Sequence, residues 1–99
     1  MADLSKMNNP ADDWKAHFAK WPKDLPKQGI LVTSFDEQIP FAGFLASDAF
    51  LLLDRQTPDA LGARTVILPY GNMVALKLTN VVDQKVFQSI GFEGALKKK

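Results

Sequence analysis

Cysteine is absent from this 99-residue chain, which rules out disulfides, thiol catalysis and thiolate metal sites. Histidine occurs once, at His17, on an otherwise apolar stripe. With neither a second histidine nor a cysteine to join it, it reads as a partly buried, hydrogen-bonded side chain rather than a ligand or a base. No apolar run approaches the roughly 18–20 residues that cross a bilayer. The first ten residues, MADLSKMNNP, lack the apolar centre of a signal peptide. The expected location is therefore the cytoplasm, with no membrane partner. Glycine-rich phosphate loops and Gly-x-Ser-x-Gly are missing too. The carboxylate pairs Asp12-Asp13 and Asp36-Glu37 suit a helix start and a turn, not acid–base work. Nothing in the chain supports an enzyme, a cofactor or a metal. Charge of one sign is scarce as well: the net value is +1, so no strong field is expected. It is unevenly placed, at −1 over residues 1–40, zero over 41–82 and +2 over 83–99.

What is present is apolar and patterned. Hydrophobic residues make up 46% and charged residues 23%, ordinary values for one globular domain. A core drawn from so short a chain is thin, and burial between subunits would add to it. Asn9-Pro10 gives a helix start, and Asp12 and Asp13 favour its first turn. Trp14, His17, Phe18 and Trp21 fall on one helical stripe, and Pro22 ends the helix. The spacing thus predicts a helix over 10–21 whose aromatic stripe docks on the rest of the chain.

Residues 29–82 read as a small antiparallel barrel or sandwich. Strands are expected over 29–35, 39–46, 50–55, 64–68 and 73–81, separated by turn residues. Gly43 falls mid-strand, where glycine usually marks a bend. Ile39, Phe41, Gly43 and Leu45 share one phase of a period-two pattern, as do Val74, Leu76 and Leu78. The unbroken run Phe50-Leu51-Leu52-Leu53 predicts a strand covered on both faces. A short helix follows over 83–90, with Asp83 as N-cap and Gly91 as stop, and then a basic tail ending in Lys97-Lys98-Lys99. The whole is one domain: helix 10–21, barrel 29–82, helix and tail 83–99.

Within the barrel, Phe-x-Gly-Phe-Leu-x-x-Asp-x-Phe-Leu-Leu-Leu over residues 41–53 resembles the first motif of the Sm-like (LSm) family. Val66-Ile67-Leu68-Pro69-Tyr70-Gly71-Asn72-Met73-Val74 resembles the second. The likeness spans about residues 10–81, includes the leading helix, and extends to the family's bacterial RNA-chaperone branch. It implies an all-β, five-stranded, strongly bent antiparallel barrel of the SH3 type with an N-terminal helix and a short C-terminal one. A monomeric SH3-like barrel of another family is the rival architecture. The resemblance further implies that the fourth strand of one subunit pairs with the fifth of the next, closing a homo-oligomeric ring of roughly six or seven subunits. Val66, Leu68, Val74, Leu76 and Leu78 would lie at that contact.

The same likeness implies single-stranded RNA as a partner, held near the turns after the second and fourth strands. By position these are Asp48 and Phe50, then Tyr70, Gly71 and Asn72. A ring can stack a base and an amide can read its edge. Alternatively Asp48 caps its turn and Tyr70 packs at a subunit contact. Phe50 stands where the family's eukaryotic and archaeal pattern has Asn. Tyr-Gly-Asn replaces the Arg-Gly or Lys-His of the second turn, so the usual cation is missing there. The lysine tail is either solvated or in contact with phosphates. Two functions are therefore expected from this sequence: a ring that binds single-stranded RNA, or a ring or scaffold that joins protein partners without nucleic acid.

Overall fold

The computed structural model describes residues 10–96. Helix α1 (Pro10–Ala19) opens on proline, which needs no amide partner in a first turn, and carries Asp12 and Asp13 there. Asn9, the expected cap, lies outside the described residues, as do Lys97, Lys98 and Lys99. The helix stops at Ala19, short of Trp21, because Pro22 disfavours a helical residue before it. Trp21 instead leaves the axis, and its indole Nε1 donates to the Leu25 carbonyl oxygen at 2.9 Å.

Among the described residues six strands follow, not five. They are β1 (Gly29–Thr33), β2 (Gln38–Phe41), β3 (Gly43–Ala46), β4 (Phe50–Asp54), β5 (Thr65–Pro69) and β6 (Met73–Lys77). They form two antiparallel sheets ordered β2-β1-β6 and β3-β4-β5. The expected second strand is broken at Ala42, whose amide donates to the Asp54 carbonyl oxygen at 2.8 Å. The chain turns a corner there and passes from one sheet to the other. The corner also shifts the side-chain phase by one: Ile39 and Phe41 point inward before it and Phe44 after it, leaving Leu45 exposed. The single-phase expectation for Ile39 through Leu45 is corrected accordingly.

Two further expectations change for local reasons. Leu51 and Leu53 are fully buried, whereas Leu52 is half-buried and Phe50 exposed, so β4 alternates and is covered on one face only within the chain. In β6, the pairing with β1 slips between Val32 and Thr33, so that Thr33 faces Met73 and Val32 faces Ala75. Val74 is the extra residue of a bulge, and Met73 and Leu76 turn inward around it. No closed barrel forms: β5 pairs only with β4 and β6 only with β1. Between them runs only the short 3-10 turn Tyr70–Asn72.

The core lies between the inner faces of the two sheets, with α1 as a lid. Leu31, Ile39, Leu51 and Leu53 are its fully buried members, and Phe18 enters from the helix. Phe18 stacks on Trp21 at 5.5 Å and meets Phe44 edge-on at 5.0 Å. Trp14 and Trp21 pack at its margin, half-buried. Gly29 is the position where the backbone approaches most closely: a Cβ there would lie 2.6 Å from the Lys77 carbonyl oxygen. At Gly43 the same atom would meet only Asp54 at 3.9 Å, so the corner does not need glycine for room. Helix α2 (Gln84–Gln88) is capped by Asp83, whose side chain accepts from the Lys85 amide at 3.0 Å. It ends where Gly91 takes φ 108°, and Phe92 turns back to set its ring edge-on against Phe87 at 6.3 Å. No helix among the described residues is long and apolar enough to cross a membrane.

Candidate functional site at the two turns and the open edges

The β3–β4 connection is a tight hairpin. The Ser47 amide donates to the Phe50 carbonyl oxygen at 2.9 Å, and its hydroxyl both donates to that oxygen and accepts from the Phe50 amide, each at 3.0 Å. Serine thus closes the turn, and Asp48 stands at its tip. Asp48 does not cap its own turn: its carboxylate takes an ion pair from Lys15 of α1. That hydrogen bond, more than the charge attraction beside it, holds the Asp48 carboxyl below the usual carboxylate range and the Lys15 ammonium above its own.

Tyr70 ties the second turn to the first. Its hydroxyl donates to the Ser47 carbonyl oxygen at 2.8 Å, and its ring is only 3% exposed, inside the core. Both of its faces are therefore occupied within one chain, and no base can stack on it in this conformation. Gly71 abuts the helix, where an added Cβ would lie 4.0 Å from Ala11. Asn72 is half-buried and its carbonyl oxygen accepts from the Ser34 amide at 2.8 Å. Of the residues expected to hold RNA, Phe50 and Asp48 are on the surface, 48% exposed in the case of Phe50, while Tyr70 is not. The structure brings the two turns together and adds a cation, Lys15, that neither turn supplies.

The five residues expected at a subunit contact are placed differently from one another. Leu68 is buried in the core, and Val66 and Leu76 pack against it. Leu78 is half-buried beyond the end of β6. Val74 alone stands well exposed, at 57%, and its counterpart on β5 is Ile67, at 61%. Leu45, Leu52 and Ile67 face one another in register across β3, β4 and β5, giving that sheet an apolar outer row. The described residues hold no group of three or more side chains suited to a metal ion.

No family model, curated protein or solved structure matches this chain.

Ile67 was within reach of sequence reasoning, since alternation in β5 with Leu68 inward forces Ile67 outward. Ser47 and Lys15 were not. Ser47 looks like any polar turn residue until Tyr70 reaches its carbonyl. Lys15 and Asp48 are 33 positions apart, and only the docking of α1 brings them together.

Proposed function

We propose that the chain is an Sm-like ring former, in which β5 of one copy pairs with β6 of the next, and that the closed ring serves as a scaffold for protein partners. One observation carries this reading: two consecutive strands, separated by a three-residue turn, lie on open edges of two different sheets. Taken through the corner at Ala42, the strands run β6-β1-β2-β3-β4-β5, so the open edges sit at the two ends of one bent sheet. Exposed edges invite pairing with another chain, and a head-to-tail contact that closes gives a ring. Ile67 and Val74 supply apolar surface beside those edges.

A scaffold for proteins is favoured over RNA because the aromatic ring of the second turn is buried and its hydroxyl is engaged. Single-stranded RNA remains as a second reading on one ground, the exposed Phe50 ring beside the Lys15–Asp48 pair, where a base and a phosphate could both find partners. Sedimentation at micromolar concentration tests the assembly. A closed oligomer is expected, and Ile67→Asp with Val74→Lys should give a folded monomer; a monomeric native chain would overturn the reading. Anisotropy with uridine- and adenine-rich strands at low salt then separates the two functions. The scaffold reading expects no binding. Salt-sensitive binding lost in Phe50→Ala would replace it with the RNA reading.

A further inference from the structure

The described residues also form a concave surface, to which Leu76 and Leu78 of the expected subunit contact contribute. It lies between α1, the end of β6 and the segment that follows α2, and it encloses about 740 Å³. Sites for small molecules span roughly 300–1,000 Å³. Trp14, Leu76, Leu78, Phe87 and Phe92 give it an apolar and largely aromatic wall. Phe87 and Phe92 stand at 89° to each other, edge against face. The wall on that side is held in place by its own hydrogen bonds. The Gln88 side-chain amide donates to the Gly94 carbonyl oxygen, and the Leu96 amide to the Gln84 side-chain oxygen, each at 2.7 Å.

The charge of this lining has one sign. Asp13 and Glu93 are its carboxylates, and among the described residues no lysine or arginine lines it. His17, also in the wall, is kept from opposing them, because burial pushes its pKa down and favours the neutral ring. Aromatic faces attract cations, and carboxylates in the lining do the same; Lys20 lines the adjoining hollow instead. We propose that this cavity binds a small organic cation with an apolar tail, an alkylammonium, the tail against Trp14, Leu78 and Phe87 and the head toward Asp13 and Glu93. The proposal concerns the wall of one copy and does not rest on the ring.

The test uses the whole chain in its native assembly and three probes with the same tail: hexyltrimethylammonium, hexanol and hexyl sulfate. Calorimetry and tryptophan fluorescence report binding. Hexyltrimethylammonium should bind saturably and about tenfold more tightly than hexanol, with hexyl sulfate weakest. Asp13→Asn combined with Glu93→Gln alters two exposed side chains. It should weaken the ammonium probe about fivefold and leave hexanol unchanged. Phe92→Ala should weaken every probe that carries the tail. Equal affinities for the three probes would overturn the proposal. So would the absence of saturable binding, including the case in which a second copy already fills the space.

Discussion

Replacing Phe18 with alanine removes the ring on which α1 is docked. Phe18 is 2% exposed, stacks on Trp21 at 17° between planes and meets Phe44 at 82°. The loss combines the transfer of a buried ring, the cavity left between helix and sheets, and two aromatic pairs, and it should come to about 3–5 kcal/mol. For a domain whose whole stability is on the order of 5–15 kcal/mol, that is about a fifth of it or more. With about 4–8 °C per kcal/mol at this size, Tm should fall by roughly 12 °C or more. Urea and thermal unfolding by circular dichroism would measure it, at one fixed protomer concentration, since assembly makes stability depend on concentration. Trp14→Ala is the internal comparison. Its ring is only half-buried, so its loss should cost about 1–2 kcal/mol. A Phe18→Ala loss below about 1 kcal/mol, or one smaller than that of Trp14→Ala, would refute the placement of Phe18 as the docking residue.

Gly29→Ala should cost on the order of 2 kcal/mol, because its Cβ would meet a backbone carbonyl of β6 that cannot rotate away; an unchanged urea midpoint would contradict the register of β1 and β6. The pH dependence of stability should carry the mark of His17. Its folded pKa lies below the ordinary 6.5 because burial disfavours the charged ring, so the unfolded chain takes up the proton first. The contribution is then complete above 6.5 and is lost as pH falls from there through the folded value. His17→Gln should flatten the stability curve in this window, and a slope identical to that of the parent chain would count against it.

Much of the fold could be read from the sequence because its signals are local. Pro10 and Pro22 bracket α1, Asp83 and Gly91 bracket α2, and short apolar runs between turn residues mark β1 and β5. What misled were features set by neighbours in space. The run of leucines in β4 looked covered on both faces, but Leu52 sits in a row with Leu45 and Ile67 that the chain itself does not cover. The phase of β6 failed at Val74 because a bulge is a property of a strand pair, and a single strand's pattern does not display it. At the site, Tyr70 carried the right chemistry for stacking, yet its burial follows from the packing of α1 over the turn. Turn composition alone could not report that.

The pairing of β1 has a consequence for the order in which the chain can fold. β1–β2, β3–β4 and β4–β5 join strands adjacent in sequence, whereas β1–β6 joins Ile30 to Lys77. Only this last pairing must close a long loop, and loop closure is the slow, entropically costly step. The helix, the first hairpin and the β3–β4–β5 meander can all form before β6 docks. Through that interval the backbone of β1 stands open along one side, with the apolar Ile30 and Val32 beside it. The chain is then most exposed to pairing with the wrong strand. The docking of β6 on β1 ends that interval.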